Sequence, residues 1–207
     1  QAASHPHCVG FTTSPDILRV ADLGTDSFWS VPLNPQAENL LGTPSRFACD
    51  PGSGPRHFAV VENGHAILLV DEMANQLTWL KPTRALELEK ILSLSMLPGP
   101  GARAAAADIQ VSWDSRFVYT SLRGADEVVG YALDLTDLRL TEAVRHSSVG
   151  VGPRFLALNP EGHLIAVANT SGTAPRLDFL TRDPETGLLD RCDLKIPGVH
   201  LVAGVPF

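Results

Sequence analysis

His7, Arg56, Asp108 and Arg154 follow one another at spacings of 49, 52 and 46 residues, and fifteen positions beyond them stand Asp22, Asp71, Arg123 and Asn169. These residue types can do acid, base and anion chemistry. Arg56, Arg123 and Arg154 suit a substrate carrying a carboxylate or a phosphate, because a guanidinium offers a planar fork of donors to either group. Glu72, His7 and His57 can accept and return protons near neutral pH. Glu72 also departs from the repeat, since counting from the anchors gives it Leu23, Gly124 and Thr170 as counterparts. The candidates for chemistry and binding are His7, Arg56, His57, Glu72, Arg123, Arg154 and Asn169; no metal ligand set and no cofactor are expected. Asp22, Asp71, Asp108 and Asn169 read first as hydrogen-bonding ties between repeats, because buried polar groups at strand ends need partners.

The elements that must position these residues repeat with them. Each anchor opens a short apolar run, as in Phe58-Ala59-Val60 and Phe155-Leu156-Ala157. A turn signal follows: Ser14-Pro15-Asp16, Asn63-Gly64, Asp114-Ser115 or Asn159-Pro160-Glu161-Gly162. A second apolar strand, a polar break, a third strand and a weaker fourth complete the unit. Four short strands in about 45–50 residues mark a β-propeller blade. The sequence therefore predicts an all-β fold of four four-stranded antiparallel blades, at 5–52, 53–106, 107–151 and 152–199, in a single propeller domain. Lys81 to Ala106 reads as a loop insertion around an outer strand near Ile91–Leu94. The stretch 200–207 resembles the opening strand of a further blade that closes a ring, so part of a larger ring is expected, with blades missing upstream or with self-association. In such a blade the residues before strand one and after strand two share one face, and that face collects the candidates at one mouth of the channel, the default place for a site.

Composition excludes several classes. A net charge of -7 without basic runs argues against nucleic acid as partner, and no apolar run reaches the length of a membrane span. Three widely spaced cysteines without a Cys-x-x-Cys pair suggest free thiols in a reducing, cytoplasmic compartment rather than a disulfide framework or a zinc site. The partner expected is a small anionic substrate.

Several motifs resemble the seven-bladed lactonase propellers of the bacterial 6-phosphogluconolactonase type. They are His5-Pro6-His7, Val20-Ala21-Asp22-Leu23-Gly24-Thr25-Asp26, Pro51-Gly52-Ser53-Gly54-Pro55-Arg56-His57, Val70-Asp71-Glu72, Ser121-Leu122-Arg123-Gly124, Gly152-Pro153-Arg154-Phe155 and Asp183-Pro184-Glu185-Thr186-Gly187. Asp71 and Leu122 stand where that family has Asn, and Gln110 where it often has His. The resemblance implies the C-terminal portion of a seven-bladed ring. It also implies metal-independent hydrolysis of a sugar lactone, with Glu72 or His7 activating water, Arg56 and Arg123 holding negative charge and Arg154 assisting. The same fold includes the fungal carboxy-cis,cis-muconate cyclases, so a cycloisomerase using His7, Arg56, Glu72 and Arg123 is an alternative. A non-catalytic binding propeller is a third.

Overall fold

The computed structural model describes residues 3–12, 14–36, 38, 40–61, 64–84, 86–173 and 175–197. The strand expected at 200–207 lies outside the described residues. The chain divides into two compact units, Gln1–Met96 and Leu97–Phe207. Each unit holds two four-stranded antiparallel sheets, in which the strands follow one another in chain order.

In the first unit, sheet 1 comprises β1 (Pro6–Phe11), β2 (Ile17–Asp22), β3 (Ser27–Pro32) and β4 (Ser45–Ala48). Sheet 2 comprises β5 (Pro55–Val61), β6 (Ala66–Asp71), β7 (Gln76–Pro82) and β8 (Leu88–Ser95). In the second unit, sheet 3 is β9 (Ala105–Val111), β10 (Phe117–Arg123), β11 (Glu127–Asp134) and β12 (Arg139–Ser147). Sheet 4 is β13 (Pro153–Leu158), β14 (Leu164–Asn169), β15 (Arg176–Arg182) and β16 (Leu189–Pro197). These are the blades of a propeller fold.

The apolar content of each strand follows its place. β6 reads Ala-Ile-Leu-Leu-Val-Asp and is buried at every position, as a strand covered on both faces must be. The outer strand β8 holds only exposed and half-buried residues. Ala21, Phe28, Ile67, Leu69 and Leu80 form the core between sheets 1 and 2, where the Phe28 and Phe58 rings meet edge to face at 5.1 Å. Phe117, Tyr119, Leu156, Ile165, Val167 and Leu180 do the same between sheets 3 and 4.

Two expectations need correction. The stretch from Lys81 to Ala106 holds more strand than expected: β7 runs to Pro82, β8 fills Leu88–Ser95, and β9 already begins at Ala105. The fifteen-residue count also slips by one in the third blade. Leu122 pairs with Ala106 and with Glu127, as Asp22 pairs with Pro6 and Ser27 and as Asp71 pairs with Pro55 and Gln76. Leu122, not Arg123, is therefore the counterpart of Asp22, Asp71 and Asn169, and Arg123 is the counterpart of Glu72. Glu72 still departs from the repeat, with Leu23, Arg123 and Thr170 as its counterparts.

The polar residues at strand ends act as ties. Asp108 Oδ2 accepts the Leu156 amide N–H at 2.7 Å, joining sheet 3 to sheet 4. Asn169 Nδ2 donates to the Ser148 carbonyl at 3.1 Å and to Asp178 Oδ2 at 2.9 Å. At the far end of the same sheets Tyr119 Oη donates to the Gly187 carbonyl at 2.9 Å. Gly187 has φ +74, and a Cβ there would stand 2.3 Å from the Phe117 ring. Gly187→Ala should thus combine left-handed strain with overpacking and destabilise the protein by about 2 kcal/mol or more; urea unfolding of the purified chain checks this, and an unchanged midpoint would remove the argument.

Candidate active site

One irregularity recurs in the first strand of every blade. Pro6 pairs with Asp22 and Cys8 with Ala21, which leaves His7 as an extra residue. Arg56 is the extra residue between Pro55 and His57, and Arg154 the one between Pro153 and Phe155. In β9 Ala107 and Asp108 together face the single Ser121. Such a β-bulge re-aims one side chain where a strand begins, and bulges gather next to functional sites. The residues singled out by spacing are, in three blades of four, the bulged ones.

The loop feeding the Arg56 bulge is clamped. Asp26 lies in the left-handed region at φ +48, which Asp tolerates better than most residues. Its carboxylate accepts the amide N–H of Gly52 and of Gly54, each at 2.8 Å. Its carbonyl accepts the Cys49 N–H at 2.9 Å. Asp126 repeats the arrangement at φ +57, accepting from Gly152 N at 2.7 Å ahead of the Arg154 bulge. Gly54 itself has φ +63, and a Cβ there would stand 2.6 Å from Met73 Cγ. The Glu72 amide donates to the Gly54 carbonyl at 2.8 Å. The backbone thus fixes Arg56 and Glu72 side by side before their side chains meet. Sequence reasoning missed Asp26 and Asp126. The signal was present in three blades as an Asp or Asn four residues past Asp22, Asp71 and Leu122, at Asp26, Asn75 and Asp126.

Within the first unit four candidates come together. Arg56 Nε lies 2.8 Å from Glu72 Oε2; the arginine side chain is 0% exposed and the glutamate 19%. Arg56 Nη1 is 3.3 Å from His57 Nε2. The His57 and His7 rings are 5.0 Å apart, and His5 stands 6.0 Å beyond His7. Burial, with the Arg56 and His57 charges beside it, pushes the His7 imidazole down to about 4, against the opposing pull of Glu72. His7 is therefore a neutral imidazole at pH 7. Next to Glu72, burial pushes the Asp71 carboxyl up to about 7, with Asp50 and Asp26 adding to the rise and a 2.5 Å hydrogen bond from Thr78 Oγ1 opposing it.

In the second unit Arg123, at the end of β10, directs Nε to the Ala105 carbonyl at 3.3 Å. Arg154 is half-buried on its bulge. Asn169 is buried, with its amide already directed to Ser148 and Asp178, so its placement is that of a tie rather than of a group open to a ligand. Among the described residues no group of three or more His, Cys, Asp or Glu is placed to hold a metal ion.

The two shifted groups give stability opposite pH dependences. The unfolded His7 titrates at its ordinary 6.5 and the folded one at about 4, so the unfolded chain binds more protons between these values and stability falls as pH drops through that window. Asp71 protonates more readily folded than unfolded, so its contribution is lost as pH rises from 3.8 toward about 7. His7→Gln should flatten the acid limb and Asp71→Asn the neutral limb of a pH series of urea unfolding curves; limbs left unchanged in the variants would contradict both assignments.

Residues 1–203 match the family Lactonase, 7-bladed beta-propeller. The 6-phosphogluconolactonase of Bacillus subtilis is 30% identical over 193 residues, covering 91% of this chain and 53% of that protein. That of Formosa agariphila is 27% identical over 92% of this chain and 54% of its own length. Among solved structures, the periplasmic gluconolactonase of Pseudomonas aeruginosa superposes with a TM-score of 0.85 at 27% identity, covering 94% of this chain and 55% of that one. A Lactobacillus plantarum protein gives 0.84 at 28% identity, over 93% and 55%. The chain spans about half the length of the curated relatives it matches. With its bladed sheets, its bulged anchors and a match along nearly its whole length, the chain belongs to the seven-bladed β-propeller lactonase family.

Proposed function

We propose that this protein hydrolyses a sugar lactone bearing an anionic group, as its relatives named 6-phosphogluconolactonase do by name. The observation that carries the reading is the neutral His7 imidazole held beside the Arg56–Glu72 ion pair. In the reaction His7 takes a proton from water as the oxygen attacks the lactone carbonyl. The Glu72 carboxylate stabilises the imidazolium so formed, and the same proton passes to the ring oxygen as the acyl–oxygen bond breaks. Arg56, enclosed as it is, works by holding Glu72 and His57 in place rather than by meeting substrate from solvent. The reading keeps Arg123 and Arg154 as the groups that bind substrate anion and developing oxyanion.

None of the relatives named above is called a cycloisomerase, and their lactonase names favour an enzyme over a non-catalytic binding module. Three cysteines outside any disulfide suit the cytoplasmic setting expected from the sequence, whereas the Pseudomonas relative is described as periplasmic; cell fractionation separates the two. Among the described residues no helix is long and apolar enough to cross a membrane. Self-association remains part of the proposal, and light scattering decides it.

Glu72→Gln and His7→Asn should each lower kcat for lactone hydrolysis by roughly 10²–10⁴-fold, while Arg154→Ala should act mainly on KM for the phosphorylated lactone. Measured by titration of the acid released from 6-phosphogluconolactone and from gluconolactone, undiminished turnover in Glu72→Gln and His7→Asn would overturn the assignment.

A further inference from the structure

Sheets 3 and 4 fill the space between them at the end remote from the bulges. Phe117 and Tyr119 of β10 face Arg182 of β15, whose guanidinium carbon lies 5.1 Å and 5.6 Å from the two ring centroids. Arg182 Nε donates to Tyr119 Oη at 2.6 Å and Nη1 to the Gly162 carbonyl at 2.8 Å. Cation, rings and backbone together close the gap.

The strand register gives each of these residues a counterpart in the first unit. Tyr119 pairs with Gly130 as Arg19 pairs with Ser30, and Phe117 pairs with Ala132 as Ile17 pairs with Pro32. By the same reasoning Arg182 corresponds to Pro82 and Gly162 to Gly64. Between sheets 1 and 2, then, the arginine has moved from the third strand of one blade to the second strand of its neighbour. Proline stands where the plugging guanidinium was, and isoleucine where a phenyl ring was. The gap is not closed. A cavity of about 310 Å³ opens there, and its polar lining is Thr12, Ser14, Arg19, Thr83 and Arg84.

Every one of those side chains can donate a hydrogen bond, and none of the cavity's described lining residues is a carboxylate. Arg19 is 2% exposed and donates to Ser30 Oγ. Arg84 is exposed, with Glu87 at 3.8 Å as its own ion-pair partner. A guanidinium keeps its charge even when enclosed, and two of them beside three hydroxyls match the many acceptor sites of a phosphate dianion better than they match a neutral ligand. We infer that this cavity, at the opposite end of β1 from His7, is a second binding site, for a phosphate group, with Arg19 holding it from within and Arg84 from the rim. The volume leaves room for a small organic group on the phosphate.

The test is calorimetric titration of the full chain with inorganic phosphate and, separately, with glycerol 3-phosphate. Saturable binding is expected, weakened at least tenfold by Arg19→Leu, a substitution that places in β2 the residue Leu68 supplies at the matching point of β6. A second variant, Ile17→Phe with Arg19→Tyr and Pro82→Arg, rebuilds the filled arrangement of the other unit and should abolish binding while keeping the fold. Both should leave lactone turnover unchanged, which separates this site from the His7–Glu72 cluster. Tighter binding of glycerol 3-phosphate would identify a phosphate ester as the occupant, and equal binding the free ion. Binding that survives both variants, or a wild-type chain that binds neither probe, would overturn the inference.

Discussion

The structure depends on one extra residue in the first strand of each blade. A regular strand alternates its side chains strictly, so the residue beside the turn would follow the pleat into one face of the sheet or the other. Two residues facing one break that alternation and free a single side chain at the strand's start. His7, Arg56 and Arg154 occupy that position. A bulge leaves backbone groups off the ladder, and these must be satisfied elsewhere. The carboxylates of Asp26 and Asp126 hold the approach, accepting amides of the loops that lead into two of the bulges. Clamp, bulge and anchor form one device ahead of Arg56 and of Arg154, fitted with different side chains.

The chemistry follows from how charge is enclosed on that device. A buried guanidinium is costly unless paired, and Glu72 pairs with Arg56 from a position fixed by its own amide hydrogen bond to Gly54. The pair in turn sets the state of His7, whose imidazole is driven neutral by burial and by Arg56 more than Glu72 can charge it. Removing either member of the pair therefore shifts the titration of a residue it need not touch, on top of the larger effect of burial.

Much of this was legible in the sequence, for a physical reason. Blade strands alternate apolar runs with turn residues at a nearly fixed period, so the four sheets and the anchors could be read directly. What a period cannot show is which residue of a run is the bulged one. Ala106 pairs with Leu122 as Pro6 pairs with Asp22, so the position matching His7 in β9 is Ala107, and counting from Asp108 overshot Leu122 by one to reach Arg123. The Lys81–Ala106 stretch misled for a related reason, because exposed outer strands such as β8 carry a weak apolar signal. Asn169 stood in the right place for a ligand contact, but its buried amide already serves Ser148 and Asp178. Side-chain polarity in the sequence does not distinguish a tie from a site.

The central claim is that His7 and Glu72 act as one unit in lactone hydrolysis. A double-mutant cycle on kcat/KM with His7→Asn, Glu72→Gln and their combination tests it most directly, since groups that share one step are not additive. The account expects the double variant to lose little more than the worse single one. Losses that multiply, as for two residues acting separately, would contradict it.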